Sequence, residues 1–428
     1  SCATPPGPDI RAAAGLADAA QFRTESLPTD APPIGNALDL PAAIERAVRQ
    51  SPTLQAALAE VRAAQADARQ SRLLPNPVLS VVFRYPDGGG SPVTETGLTP
   101  DLLTVLQTPR RIRAADNRLR AASARAVAAA LDVIADTEKS YHTANALRQE
   151  MVLLEQGAGH IDRLLQIARH RLDAGEGTRL DVATLEARRA ETRIDLQERR
   201  LKLTQEQLAL ARLLGQPSSD TDWQQTTSLP VAAPVRPEAD WLAAALRKRP
   251  EIQADRWQLA ALEDRRALAR LAFLEGSAAG LDAERDGDWS LGPSLAVPLP
   301  LFDWGQARRA KAHASAIAAR HRLTQTVRQT VQEVRQAHAA QARLAAATTQ
   351  AREQLTPLQQ QRVDLARAVY ESGQSGITPL LLAELDLQKA QLRAVQLELR
   401  AAVAAIELRR ASGGAAAIFK TKTTTQKQ

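Results

Sequence analysis

The feature that most constrains the fold is a long segment without proline. Residues 110–216 contain no proline, and their few glycines are Gly157, Gly159, Gly175, Gly177 and Gly215. Because proline breaks a helix interior and glycine weakens it, the segment predicts two very long helices. The outgoing helix covers Arg110–Leu172, and the return helix covers Thr178–Leu214. At 1.5 Å per residue they would be roughly 90 Å and roughly 55 Å long, unless the glycines at 157 and 159 break the first one.

The return helix carries two apolar seams. The first seam repeats every seven residues and consists of Leu180, Ala187, Ile194, Leu201 and Leu208. The second seam lies two positions further on and includes Leu196, Leu203 and Leu210. A dimeric coiled coil needs only one such seam. Two seams therefore predict a helix with a neighbour on each side, as in a closed cylinder of helices.

The chain is duplicated. An offset of 200 relates the return helix to a later segment, for example Thr178 to Thr378, whereas an offset of 198 relates other positions, such as Pro52 to Pro250. The second half then predicts an outgoing helix over 306–370, a turn at 372–376 and a return helix from Thr378. Threonine is a favourable N-cap residue, so both threonines are predicted to cap return helices. The register at the second turn stays open between the two offsets.

Each half also contains a predicted pair of strands. Apolar residues alternate in the first pair, over 78–107, where Leu103–Gln107 is predicted as the second strand. The second pair lies within 277–300, with a weaker strand at Leu281–Arg285. Such alternation is typical of half-exposed strands. Four strands cannot close a barrel, for which roughly eight are needed, so membrane-spanning strands would require about three copies with twelve strands.

These elements predict a mostly α-helical fold with a small β part. The predicted order is an extended tail, a first repeat with its tip at 174–178, a linker, a second repeat with its tip at 372–378, and a disordered tail. Their ranges are 1–36, 38–215, 216–237, 238–412 and 413–428.

Composition excludes several functions. Aromatic residues make up only 3% of the chain, as expected for long helices rather than an aromatic-rich globular core. The net charge of +7 comes from arginines that alternate with acidic residues, which favours a solvated helix surface over nucleic-acid binding. No catalytic motif is present, so an enzyme is not expected. The six histidines have no ligand spacing typical of a metal site, and for His160 and His170, which flank the first turn, a solvated surface position is the favoured interpretation.

The single cysteine, Cys2, follows Ser1. A small residue followed by cysteine is where a bacterial lipoprotein signal would be cut and the cysteine thiol acylated. We therefore expect a covalent lipid on Cys2, with no other cofactor. The alternative is an unmodified surface thiol.

Several motifs resemble the TolC-like outer-membrane efflux channels, and within them the heavy-metal CusC/CzcC-like branch. The motifs are Arg171-Leu172-Asp173-Ala174-Gly175-Glu176-Gly177-Thr178-Arg179-Leu180-Asp181-Val182, Leu299-Pro300-Leu301-Phe302-Asp303-Trp304-Gly305, Tyr370-Glu371-Ser372-Gly373 and Leu73-Leu74-Pro75-Asn76-Pro77. The resemblance implies a homotrimeric exit duct without chemistry of its own. In this duct, duplicated helical hairpins would form a trimeric α-barrel tunnel, and four strands from each chain would contribute to a shared 12-stranded transmembrane β-barrel. It also implies an outer-membrane location with a large periplasmic part, a lipid anchor, a periplasmic adaptor, and an inner-membrane transporter of the resistance-nodulation-division type.

The same resemblance implies roles for the two turns. Asp181, Arg179, Tyr370, Glu384 and Asp386 would line or restrain the closed periplasmic end of the pore. The adaptor would engage Gly175, Thr178, Leu180, Gly373, Thr378 and Leu380. A plainer alternative makes Asp181 an ordinary acidic residue of a helix first turn and the remaining residues turn and cap chemistry.

Two other functions fit part of the pattern. A soluble periplasmic coiled-coil adaptor also has long hairpins, but usually one rather than two. A channel for drugs or for type I protein secretion would have the same fold with a different cargo.

Overall fold

A computed structural model describes residues 21–32, 35, 37–85, 87–89, 92–218, 221, 223–226, 237–286 and 288–414. The predictions for Cys2, for much of the N-terminal tail and the linker, and for residues 415–428 lie outside these residues. The described chain is mostly helical with a small sheet, which confirms the predicted fold class. It divides into two compact units, one of residues 56–128 and 250–329, the other of residues 21–55, 129–249 and 330–414.

Long helices dominate the chain. The first half contains α1 (Leu40–Gln50), α2 (Pro52–Gln70), α3 (Leu102–Asp173) and α4 (Arg179–Leu213). The second half contains α5 (Glu238–Lys248), α6 (Pro250–Leu268), α7 (Gln306–Gln350), α8 (Thr356–Glu371) and α9 (Ile377–Ala411). None of the described helices combines the length and the apolar composition that crossing a membrane requires.

The strands form two sheets. β1 (Ala37–Leu38) and β4 (Gln224–Gln225) pair in parallel, whereas β2 (Val78–Arg84), β3 (Val93–Thr99), β5 (Ala278–Asp286) and β6 (Asp288–Ala296) form an antiparallel sheet in that order. Both strand pairs therefore belong to one sheet, joined by β3 and β5. Its edges are β2 and β6.

In the structure, equivalent positions of the two halves are 198 residues apart, and we call this spacing the register of 198. Helix α4 starts at Arg179 and α9 at Ile377, and both are 35 residues long. The turn glycines Gly175 and Gly373, both with positive φ, are the same distance apart. The offset of 200 arises because the two seams of a return helix are two residues apart. It aligns the first seam of α4 with the second seam of α9.

The second strand of the first pair was predicted in the wrong place. It lies at Val93–Thr99, and residues 103–107 already belong to α3. Asp101 initiates this helix early, because the Thr104 backbone N–H donates to its Oδ1 at 2.9 Å and the Thr104 hydroxyl donates to Oδ2 at 2.7 Å. The helix then continues through Pro109, so its predicted start at Arg110 was also too late.

Glycine and proline act differently in the two outgoing helices. Helix α3 runs unbroken past Gly157, where a Cβ would lie 2.0 Å from Gln388 Nε2 of α9. The missing side chain leaves room for Gln388 at this contact, and the glycine does not break the helix. In the second half, Pro357 follows a π-helical turn at Ala351–Leu355, which separates α7 from α8. The single predicted helix over 306–370 is therefore divided, since proline removes a hydrogen-bond donor and crowds the preceding turn.

Small apolar clusters hold the helices together. In one cluster, Tyr141 of α3 is completely buried, and its hydroxyl donates to Leu38 O at 2.9 Å. Trp223 from the linker packs into the same cluster, and the Arg148 guanidinium donates to its carbonyl oxygen at 2.8 Å. The start of the first repeat and part of the linker are thus bound to the long helices around Tyr141.

Candidate functional site

The first hairpin turn is closed by glycines and a capping box. Gly175 has φ +80°, and the Glu176 N–H donates to Arg171 O at 2.8 Å, which satisfies a carbonyl at the end of α3. Gly177 has no room for a side chain, because a Cβ would lie 2.9 Å from Leu172 N. Thr178 caps α4: its hydroxyl accepts from the Asp181 N–H at 3.1 Å, and the Asp181 carboxylate accepts from the Thr178 N–H at 3.3 Å.

The second turn has the same glycine but a different cap. Gly373 has φ +72°, and the Gln374 N–H donates to Val369 O at 3.1 Å. The N-cap of α9 is Gly376, without a side-chain hydrogen bond. Thr378 was predicted to be this cap. It lies instead inside the first turn of α9, because the structural register is 198 and not 200.

The two hairpins pack against each other next to the turns. Leucines and isoleucines of α3 and α9 form the core of this contact, with Leu185 of α4; the buried members are Ile161, Leu164, Leu165, Ala168, Leu185, Ile377, Leu380 and Leu381. Tyr370 is half-buried against this cluster, and the Arg171 guanidinium lies 5.4 Å from its ring centroid. A hydrogen bond to Tyr370 raises the pKa of Arg171, which therefore stays cationic in this contact.

Glu384 connects three helices. Its carboxylate lies 3.2 Å from Arg367 Nη2 of α8 and 3.2 Å from His160 Nδ1 of α3. These side chains border a cavity of about 140 Å³, which Gln156 and Gln388 also line. Asp386, two residues after Glu384 in α9, pairs with Arg362 at 2.7 Å. Each carboxylate thus has a cationic partner within the same chain.

Within one chain, the residues predicted to form the gate make several separate contacts, and their role at the pore stays a prediction. Asp181 belongs to a helix cap, Glu384 and Asp386 form ion pairs with α8, and Tyr370 contacts Arg171. Arg179 is exposed. In the register of 198, the position that corresponds to Asp181 is Pro379, so the second turn has no matching acidic residue.

The residues predicted to bind an adaptor differ in accessibility. Gly175, Thr178, Gly373 and Thr378 are exposed on the turns. Leu180 is 75% exposed, whereas Leu380 is only 3% exposed within the hairpin contact. These leucines share a sequence pattern without sharing a structural position, since the structural equivalent of Leu180 is Thr378.

The sequence analysis missed one repeated ion pair. Arg169 pairs with Glu186 at 2.6 Å in the first hairpin, and Arg367 pairs with Glu384 in the second. Both pairs have the same spacing of 17 residues and are 198 positions apart, a signal that was visible in the sequence. Among the described residues, no group of three or more metal-ligating side chains is found.

Comparisons with known proteins agree with this geometry. A family model described as outer membrane efflux protein matches residues 43–216 and 241–414, two segments that are again 198 positions apart. The cobalt-zinc-cadmium resistance protein CzcC of Cupriavidus metallidurans is 26% identical over 371 residues, which cover 83% of this chain and 85% of the relative.

Solved structures share the fold. The outer membrane protein VceC from Vibrio cholerae matches with a TM-score of 0.71 at 22% identity, covering 88% of this chain and 96% of that chain. The channel protein CusC matches with a TM-score of 0.70 at 20% identity, covering 92% of this chain and 98% of that chain.

Proposed function

Since the chain belongs to the outer membrane efflux protein family, it is an efflux channel, and we propose that it conducts heavy-metal cations as a homotrimer. The family assignment makes it a transport protein rather than an enzyme, and favours the channel over the alternative of a coiled-coil adaptor. The finer proposal includes an adaptor at the hairpin turns, an inner-membrane transporter of the resistance-nodulation-division type, and a lipid on Cys2.

The main observation that supports assembly into an oligomer is that the first seam of α4 is uncovered. In α9 the first seam is half-buried or buried from Leu385 onward, and hydrogen bonds such as Gln388 Nε2 to Leu153 O, 3.2 Å, connect this helix to α3. In α4 the equivalent residues are exposed, with Ile194, Leu201 and Leu208 all among the exposed large apolar side chains. The second half thus contains within one chain the packing that the first half lacks.

A second copy supplies what is missing. If the outgoing helix of the second half covers α4 of the next copy, as α3 covers α9, every return helix gains two neighbours. This contact joins different surfaces of the two copies, so it repeats around a ring. The sheet edges β2 and β6 would pair between copies in the same ring, which removes exposed backbone donors and acceptors. The TolC-like resemblance sets the number of copies at three.

The cargo follows from charge and from the relative. One face of the sheet carries Glu95, Asp282 and Glu284, and Glu95 lies directly opposite Glu284. A single basic residue on this face, Arg84, pairs with Glu95 at 2.9 Å. A duct lined by this face favours cations by long-range attraction. The relative CzcC carries cobalt, zinc and cadmium resistance in its name.

At the turns, closure would depend on contacts between hairpins. The Arg171–Tyr370 contact and the bridge from Glu384 to His160 join the first hairpin to the second. Their loss would let one hairpin move against the other. Arg179 and Leu180, both exposed, offer an adaptor a cation next to an apolar side chain, while Asp181 keeps the helix start in place.

Deletion and complementation test the function. Removing the gene should lower the growth of the source bacterium in Co²⁺, Zn²⁺ and Cd²⁺, and the wild-type gene should restore it. A variant with Glu95→Gln, Asp282→Asn and Glu284→Gln should restore it only in part. As a matched control, Glu155→Gln, Glu191→Gln and Glu198→Gln remove three acidic residues from the helices. Unchanged metal tolerance together with loss of tolerance to drugs, or of a secreted protein, would contradict the proposed cargo.

A further inference from the structure

A repeated pattern marks the place where the sheet gives way to the long helices. An exposed apolar side chain, Leu106 or Trp304, is followed four and five residues later by two arginines, Arg110-Arg111 or Arg308-Arg309. A further basic residue follows at Arg113 or Lys311. All these positions are 198 apart, so the pattern occupies the same place in both halves.

The loop before α7 presents its aromatic residues to the surface. Phe302 is 92% exposed and Trp304 is 57% exposed. The loop is nevertheless fixed by hydrogen bonds: the Trp304 N–H donates to Gln306 Oε1 at 2.8 Å, and the Gly305 N–H donates to Asp303 Oδ1 at 2.7 Å. An ordered loop with exposed aromatic side chains is unfavourable in water and typical of a membrane–water interface.

This loop lies beside another basic residue. Gly305 has φ +73°, and a Cβ there would lie 3.1 Å from Ala272 Cβ. Ala272 belongs to the 3₁₀ turn Ala269–Leu274, which also carries Arg270 and the exposed Leu271. The loop that carries Phe302 and Trp304 therefore contacts the turn that carries Arg270.

Several of the basic residues already have acidic partners. Arg308 pairs with Asp303 at 3.0 Å and with Glu275, and Arg113 lies 3.9 Å from Asp264. Arg111 interacts electrostatically with Asp101. Four exposed cations remain without an ion-pair partner among the described residues, and we name them the basic collar: Arg110, Arg270, Arg309 and Lys311.

We infer that the basic collar binds the phosphate groups of anionic phospholipids in the membrane leaflet that lies next to the long helices. This inference rests on the proposed placement of the sheet in the outer membrane. Guanidinium groups match phosphate oxygens geometrically, and each Lys or Arg near an anionic surface contributes about 1 kcal/mol. The strands that precede the collar residues in the chain carry an apolar face that includes Leu79, Phe83 and Leu291, all exposed. Lipid chains would cover that face while headgroups meet the collar.

Lipid titration of the purified full-length chain tests this inference. The protein, in neutral detergent, is titrated with phosphatidylglycerol or phosphatidylcholine, and bound lipids are counted by native mass spectrometry. The collar variant combines Arg110→Gln, Arg270→Gln, Arg309→Gln and Lys311→Gln. We expect it to bind phosphatidylglycerol about tenfold or more weakly than wild type, with no change for phosphatidylcholine.

A control variant removes the same charge elsewhere. Arg193→Gln, Arg322→Gln, Arg328→Gln and Arg343→Gln replace exposed arginines that also lack ion-pair partners among the described residues. This variant should bind phosphatidylglycerol like wild type. Equal lipid affinity of the collar variant and wild type would overturn the inference, and so would displacement of the lipid by an equal concentration of inorganic phosphate.

Two further measurements separate the possible failures. If the collar variant does not fold, the salt dependence of wild-type binding decides, since phosphate contacts weaken with added NaCl and salt-independent binding would overturn the inference. Metal tolerance of cells is measured independently. A wild-type chain that binds phosphatidylglycerol through the collar but confers no metal tolerance would contradict the proposed cargo alone.

Discussion

The two return helices have the same length and the same turn glycine, yet they are in different environments. Helix α9 is covered by its own outgoing helix on one side and by α3 on the other, with Arg409 bound to Glu138 at 2.6 Å and Arg410 bound to Asp132 at 2.6 Å. Helix α4 is covered on one side only, and its first seam is exposed. Duplication thus made two copies of one hairpin, of which only the second finds both neighbours within the chain.

The difference extends to the ion pairs. The positions equivalent to Arg409 and Glu138 are Ala211 and Gln336, and those equivalent to Lys139 and Glu407 are Ala337 and Ala209. A contact between copies that repeats the α3–α9 packing would therefore lack these ion pairs. Ion pairs stabilise the α3–α9 contact within the chain, whereas the contact between copies depends on apolar packing.

The largest expected effect is the loss of assembly in an Ile194→Lys, Leu201→Lys double variant. Burial of each of these apolar side chains at the contact between copies contributes about 1.5–3 kcal/mol. A lysine in its place would lose this contribution and add the cost of burying a charge. Native mass spectrometry in detergent should show separate chains with unchanged helix content. Gln197→Lys with Gln205→Lys adds the same charge at exposed polar positions and should leave the assembly intact. An intact oligomer of the first variant would contradict the uncovered-seam argument.

The next effect concerns the ion pair between Arg409 and Glu138 in the α3–α9 contact. Arg409→Met would leave the carboxylate of Glu138 buried without its partner, which costs about 3–5 kcal/mol. Burial already raises the pKa of Glu138, and Arg409 opposes this rise. Urea unfolding should show this decrease in the free energy of unfolding. Lys139→Met breaks an exposed pair with Glu407, for which about 0–1 kcal/mol is expected, and equal losses for both variants would contradict the distinction.

A smaller effect is a pH dependence that belongs to the first half alone. Burial, with Arg409 nearby, lowers the pKa of His142 to about 4 from 6.5, whereas the equivalent position in the second half is Ala340. The unfolded chain then binds more protons than the folded chain between these values. Stability therefore falls as the pH decreases below about 6.5 and levels off below about 4, by roughly 3 kcal/mol in total.

The contribution of His142 is measured as a difference between wild type and His142→Phe. Glu138, whose raised pKa acts in the opposite direction, is present in both proteins and cancels. The free energy of unfolding of the two proteins should diverge between pH 7 and pH 4. Parallel pH profiles would show that His142 is not buried as a neutral side chain.

The smallest effects concern the helix caps. Thr178→Ala removes a capping box and should cost about 1 kcal/mol. Gly376→Ser offers the second hairpin a side-chain cap at φ −68° and ψ 175°, and should stabilise it by a few tenths of a kcal/mol. Thermal unfolding measures both changes. Opposite signs at these equivalent positions are the required result.

Local chemistry was predictable where it depends on neighbours in sequence. The positive φ of Gly175 and the N-cap role of Thr178 both follow from residues within one turn. The second strand of the first pair was not predictable in this way, because Val93–Thr99 is stabilised by pairing with distant strands on both sides. Thr378 was misassigned for a related reason, since a pattern with two seams matches itself after a shift of two residues.

The candidate site shows the same division. That Glu384 lies near a turn follows from its position in the sequence, but its contacts with His160 and Arg367 depend on how three helices pack. Leu180 and Leu380 have the same sequence context, although one is exposed and the other is buried. They differ because Leu380 occupies the structural position of Val182, within the contact between the hairpins, whereas the structural equivalent of Leu180 is the exposed Thr378.

The sequence by itself determined a duplicated chain of very long helices with two strand pairs, because helix periodicity, proline and glycine act over a few residues. Only the tertiary structure decided the register of the duplication, the single sheet formed by both strand pairs, and the exposure of one seam but not its copy. These depend on which helices and strands meet across the chain, and burial at such contacts depends on partners that sequence spacing does not identify.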